Sequence, residues 1–318
     1  MSQNTLAQAR VINPVLTGIA QGYKVHNLIG NVLFPEVPVQ LRAGQILTFG
    51  KEEFMQYSGL QRAPGAQTKR VQFGYAGAPF ALVDYSLEGS LPIETLQEGL
   101  SSANGFSIDG AAVAINKTQK IMARRLEMQQ ATLATTLGNY AASNRKTLSG
   151  TSQFSDLTTG VSDPINEIEI GKDVIRAAIG VRPNTMVIGA RVLQSLRQHP
   201  KIIDRMKYTG RDVPTLEILR GLFDIENVVL GESVVASDAG VFSDIWGKHI
   251  VLAYTTTGGI ADMGEPTFGY TYNLGGYPLA EEPYYDRNSK TWFFPVTRAE
   301  APVIAGASAG YFIQNAVA

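Results

Sequence analysis

Three histidines, His26, His199 and His249, are the side chains best suited to acid–base or metal chemistry near neutral pH, and they stand far apart in the 318-residue chain. None belongs to an HExxH pattern or to a paired histidine–carboxylate spacing, so no metal site is expected. The chain has no cysteine, which removes disulfides and thiol-based redox or metal chemistry. Residues 306–310, GASAG, carry the letters of a nucleophile elbow centred on Ser308. In that arrangement the acid and the histidine follow the serine, whereas only eight residues follow Gly310 and none is Asp, Glu or His. Small residues that let two late strands pack closely explain the motif better. Gly171–Lys172 and Gly247–Lys248 lack the upstream glycine of a phosphate loop, and GYAG at 74–77 does not extend to GxGxxG, so no nucleotide or other cofactor is expected. Glu281 beside Glu282, and Asp204 beside Arg205, read as solvated charges or rim ion pairs. No catalytic, cofactor or metal residue is assigned.

What remains is charge and its placement. The net charge is −1, yet residues 101–150 hold six basic and two acidic residues, while 151–318 hold fourteen basic and nineteen acidic. A chain this neutral overall is not a sequence-reading DNA binder, because such binding draws on clustered Lys and Arg. The basic segment still allows weak, local contact with nucleic acid. Charged residues make up 17% of the chain, below the usual ~25%, which fits a surface largely covered by neighbours. No run of about 18 apolar residues and no signal-like start is found, so neither a membrane partner nor secretion is expected.

The basic residues sit on the most regular element. Ile108, Ile115, Met122, Leu126, Leu133 and Leu137 recur at seven- and four-residue intervals, which at about 100° per residue places them within roughly 60° of one another. The spacing predicts a long spine helix over 106–138 with one thin apolar stripe, and Lys117, Lys120 and Arg124 on its opposite face. Residues 1–36 show no sustained helical or strand period and read as an arm lying over other structure. Two β-prone runs between 37 and 90 flank SGLQRAPGAQT and read as a long two-stranded excursion carrying Arg62, Lys69 and Arg70; an isolated ribbon needs outside contacts. The polar stretch 139–163 reads as a mobile loop. Asp163–Pro164 is a helix start. PNTMVIG, NVVLG and HIVLAYT read as strands interleaved with the helices ARVLQSLRQ, PKIIDRMKY and PTLEILRGLF, an α/β unit. The end is β-rich, with DRNSK joining two aromatic strands that the spine could cover.

In this order and spacing the chain resembles the major capsid proteins of tailed bacteriophages, with the Hong Kong 97-type capsid fold. FGKEEF, RAPG and VQFGYAG look like that family's extended loop, PNTMVIGARVLQSLRQHPKIIDRMKY like its axial-domain strand and helices, and YPLAEEPYYDRNSKTWFFPVTR like the closing hairpin of its peripheral domain. The resemblance implies an α+β chain divided into an N-terminal arm (1–36), an extended β-hairpin loop (37–90), a peripheral domain with the spine (91–175), an axial α/β domain (176–265) and return strands of the peripheral domain (266–318). It implies a non-enzymatic subunit that self-assembles into pentamers and hexamers of an icosahedral shell around double-stranded DNA, located in the virion and assembled in the host bacterial cytoplasm. Arg62, Lys69 and Arg70 are then candidates for intersubunit contacts, and Lys117, Lys120 and Arg124 for non-specific contact with packaged DNA. Scaffolding, portal and decoration proteins are further partners the resemblance allows; an arm starting almost at Met1 points to a separate scaffold. The rivals are an encapsulin-like nanocompartment shell around cargo enzymes and, in a different class, a soluble α/β enzyme using carboxylates such as Asp204 or Glu217.

Overall fold

The computed structural model describes residues 13–22, 27–48, 61, 62, 64, 67, 76–100, 110–207, 214–237, 239–256 and 266–318. In chain order the first elements are α1 (Pro14–Gly22), α2 (Gly30–Leu33), β1 (Glu36–Val39), β2 (Ala43–Thr48), β3 (Ala76–Ala81), β4 (Val83–Pro92), α3 (Ile93–Leu100), α4 (Gly110–Thr135) and β5 (Arg145–Thr147). Next come α5 (Pro164–Ile179), β6 (Thr185–Gly189), α6 (Ala190–Gln198), α7 (Pro200–Met206), α8 (Leu216–Phe223), β7 (Asn227–Gly231), β8 (Val234–Ala236), β9 (Phe242–Asp244) and β10 (Ile250–Ala253). The chain closes with β11 (Gly269–Leu274), β12 (Leu279–Ala280), β13 (Tyr284–Asp286), β14 (Thr291–Ile304) and β15 (Gly310–Gln314).

One sheet is built on the fourteen-residue strand β14. β4 runs antiparallel along one of its edges from Val83 to Pro92. β11, β12 and β13 share the other edge in succession, and β1 adds in parallel to β11. The second sheet has the order β5-β15-β10-β6-β7. Every residue of β6 and β10 is buried, as are Tyr311, Phe312 and Ile313 of β15, so helices and loops cover both faces. Helix α5 lies against β15 and β10. It starts where Asp163 accepts from the Asn166 N–H at 3.1 Å and Pro164 occupies the first turn, and it stops at Gly180 with φ 76°.

Several sequence expectations need correction. The spine, α4 (Gly110–Thr135), ends before the expected 138, because Thr136 turns extended before a 3-10 turn at Leu137–Asn139; the expected start at 106 lies outside the described residues. Its buried side is broad rather than a thin stripe, because Gln119, Glu127 and Gln130 are buried along with Ile115, Met122 and Leu126. The arm is not without periodic structure, since Pro14–Gly22 forms a helix against α4 and β12. The excursion is shorter than 37–90: among the described residues β2 and β3 pair only with each other, whereas β1 and β4 belong to the sheet on β14. The stretch 139–163 is pinned rather than mobile, by the buried Tyr140, Leu148 and Phe154. The return segment does not stay in one sheet, because β15 crosses into the α/β unit, where its apolar triplet is buried on both faces. Helix α5 and strand β5 join the same unit from the region expected to be peripheral.

Candidate functional site

The spine sits close on the sheet because a glycine lets it. A Cβ on Gly89 of β4 would stand 2.9 Å from Thr118 Oγ1 and 3.1 Å from the Ala114 carbonyl oxygen. Ile115 and Met122 then pack with Phe294 and Val296 of β14, Ala280 of β12, and Leu16 and Ala20 of the arm helix.

Further along the helix the contacts turn polar. The Glu127 carboxylate is 2% exposed and accepts from the Gly30 N–H at 2.7 Å, the Ile29 N–H at 3.1 Å, Trp246 Nε1 at 2.6 Å and Ser233 Oγ at 3.3 Å. One side chain of the spine therefore holds the turn α2, near the end of the arm, and the segments that flank the β8–β9 hairpin. One turn on, Gln130 Nε2 donates to Asn31 Oδ1 at 2.8 Å and Thr271 Oγ1 at 2.9 Å. Glycine at position 30 leaves room for this bond, since a Cβ there would fall 1.9 Å from Gln130 Oε1 and push that side chain aside. On the other side of the helix, Arg125 pairs with the buried Glu300, whose other oxygen lies 3.2 Å from Arg298 Nε. The Arg125 guanidinium also covers the Tyr85 ring, and the Tyr85 hydroxyl accepts from Gln129 Nε2 at 3.0 Å. Burial raises the Glu300 pKa despite the two arginines, which act to lower it.

The outward face of the spine carries Lys117 and Lys120, both exposed, and the half-buried Arg124, so the helix brings these three together. Val113, Ile121 and Met128 interrupt them and are 40%, 58% and 39% exposed. Arg62 is exposed; Lys69 and Arg70 lie outside the described residues. Residues suggested for catalysis are not assembled. Ser308 lies in the turn Ala307–Ala309, where the approach of Gly310 to Phe268 (2.5 Å for an added Cβ) bears out the close-packing reading. Asp204 and Glu217 are exposed. His199 and His249 are separate: His199 Nε2 lies 3.2 Å from the buried Ser162 Oγ, and His249 Nδ1 accepts from the Asn315 N–H. His26 lies outside the described residues. Among the described residues no cluster of His, Asp or Glu could hold a metal ion, and no helix is long and apolar enough to cross a membrane. Sequence reasoning did not find Glu127, Gln130 or Gly30, because nothing in an acidic residue beside Leu126 shows that two other segments will close over it.

A helix laid over a sheet built on one long strand, a second α/β sheet and a two-stranded excursion together define the Hong Kong 97-type capsid fold. The mature capsid of bacteriophage PhiM1 shares this fold, with a TM-score of 0.52 at 12% identity over 92% of this chain and 88% of that one. A phage-related protein from Bordetella bronchiseptica RB50 superposes with a TM-score of 0.81 at 39% identity, covering 97% and 98% of the two chains. No protein-family model matches the chain. The major capsid protein of Burkholderia phage BcepMu is 38% identical over 314 residues, 98% of each chain. That of Pseudomonas phage JBD67 is 27% identical over 329 residues, covering 96% and 97%. The chain belongs to the bacteriophage major capsid proteins. It is a structural subunit of the virion shell and assembles with copies of itself.

Proposed function

We propose that the chain closes an icosahedral shell of pentamers and hexamers around double-stranded DNA and has no catalytic role. The likeness to a phage major capsid protein along 98% of the chain carries this reading. In it the five-stranded α/β unit is the axial domain, the sheet on β14 with the spine is the peripheral domain, and the β2–β3 excursion reaches neighbouring subunits. Arg62, Lys69 and Arg70 pair there with carboxylates, so that many weak contacts repeated around each ring hold the shell. Assembly takes place in the host bacterial cytoplasm, with scaffolding, portal and decoration proteins as further partners.

Lys117, Lys120 and Arg124 face the packaged genome. The support is their alignment on one exposed helix face, in the basic segment of a chain of net charge −1. Electron microscopy of the expressed protein tests the shell: closed particles of uniform diameter holding DNA are expected, and a chain that stays monomeric under all assembly conditions would fail it. Particles filled with protein cargo and no DNA would favour the nanocompartment instead. Changing Lys117, Lys120 and Arg124 together to Glu should leave assembly intact while DNA retention falls and loses its salt dependence. Unchanged retention would make the face merely solvated.

A further inference from the structure

The β2–β3 excursion leaves the body through a short neck. β1 ends at Val39 inside the sheet on β14 and β2 begins at Ala43; β3 ends at Ala81 and β4 begins at Val83. Only residues 40–42 on one strand and Leu82 on the other therefore lie between the ribbon and the sheet. The two connections are bonded to each other, with the Leu82 N–H donating to the Arg42 carbonyl at 2.8 Å. The first is also fixed from the body, since the Gly275 N–H donates to the Val39 carbonyl at 2.9 Å. A connection this short and cross-bonded has few conformations open to it.

Two groups of side-chain contacts then set the direction of the ribbon. Phe80 of β3 stands opposite Gly44 of β2, where an added Cβ would come within 2.8 Å of its ring, so the glycine makes room for the ring beside the strand. There the ring stacks on Tyr272 of β11, with centroids 4.2 Å apart and planes 16° from parallel. On the neck, Arg42 Nη1 donates to both Asp84 carboxylate oxygens at 2.7 Å and Nη2 donates to the Tyr277 hydroxyl at 3.3 Å. The ribbon is thus tied to β4, to β11 and to the turn before β12. None of these five side chains belongs to either apolar core, so holding the body together does not account for them.

We propose that this neck is a rigid joint, in which the Phe80–Tyr272 stack and the Arg42–Asp84–Tyr277 group fix the angle at which the ribbon meets a second copy. This assignment rests on the shell reading, in which the excursion reaches a neighbour, and adds the residues that aim it. The six residues of each strand span about 20 Å, so a tilt of about 10° at the joint moves the far end by about 3.5 Å, more than the length of a hydrogen bond. A ribbon held at its working angle before contact loses less freedom when it docks, and that gain is repeated at every such contact around a ring.

The chain has no cysteine, so paired spin labels can be placed at chosen sites. Labels on Gln45→Cys in the ribbon and Thr132→Cys on the spine, both exposed positions, should give one narrow distance distribution in the unassembled subunit. Phe80→Ala should widen it about twofold, and Phe80→Tyr, which keeps the ring, should not. An equally wide distribution with and without the ring would overturn the joint. Phe80→Ala should also lower the yield of closed shells about tenfold with the subunit's melting temperature unchanged, and Phe80→Tyr should restore the yield. Arg42→Ala should act in the same direction more weakly, since its pair is exposed. Wild-type yield from a chain lacking both the Phe80 ring and the Arg42 guanidinium would count equally against the proposal, and shell loss that only follows a lowered melting temperature would make the ring merely structural. Failure of the wild-type chain to form shells would instead sink the shell reading, while the distance distribution would still decide on the joint.

Discussion

The α/β unit and the spine–sheet joint are held by different forces. In the α/β unit, Ile168, Ile175, Val187, Leu252, Phe312 and Ile313 form a continuous apolar core beneath fully buried strands. At the joint the apolar cluster is small, and the long contacts run through Glu127, Gln130 and the Arg125–Glu300–Arg298 group. Apolar packing is non-directional and adds up into one rigid body. Directed bonds to a few carboxylates fix orientation and can be lost separately.

The largest expected effect tests the apolar side. Phe312→Ala should cost about 3–5 kcal/mol and lower the melting transition of the whole α/β unit. Glu127→Ala should cost about 3 kcal/mol, because four donors lose their acceptor. In hydrogen exchange its effect should fall on Ile29, Gly30 and the hairpin, with β6 and β10 still protected. Equal loss of protection everywhere would erase the contrast between the two regions. Gly30→Ala follows at about 1–3 kcal/mol, since the new methyl must displace Gln130.

pH should separate the regions by sign. Burial, with Lys201 or Lys248 adding to it, lowers the pKa of His199 and His249 in the α/β unit. Their contribution to stability is complete above the ordinary histidine pKa of about 6.5 and is lost as pH falls through the depressed values. Glu300 behaves oppositely. Its raised pKa favours the folded state fully below the ordinary carboxylate pKa of about 4.3, and that contribution is lost as pH rises through the raised value. Hydrogen exchange of β10 and β14 measured against pH checks this, and His199→Gln should flatten the acid limb for β10. Smallest of all is Arg42→Ala, which removes an exposed pair with Asp84 and should change stability by about 0.5 kcal/mol or less.

Much of the fold was legible because its signals are local. The cap at Asp163, the break at Pro200 and the buried run Thr185–Gly189 each depend on a few adjacent residues, and each falls where the spacing places it. The basic face of the spine was legible for the same reason, since three and four residues make one helical turn. The exposure of Phe242 and Met128 was not, because each looks like a core residue until the fold shows it 72% and 39% exposed.

The sequence alone determined most of the elements and their order, the absence of cysteine and the likeness to a capsid subunit, all properties of local pattern and of composition. Only the tertiary structure decided that β4 belongs to the sheet, that the last strand crosses into the α/β unit, and that Glu127 ties three segments together. Those outcomes depend on pairing between residues up to about 200 positions apart, as Val83 with Glu300 shows, and on which polar groups are shut away from water when the chain closes.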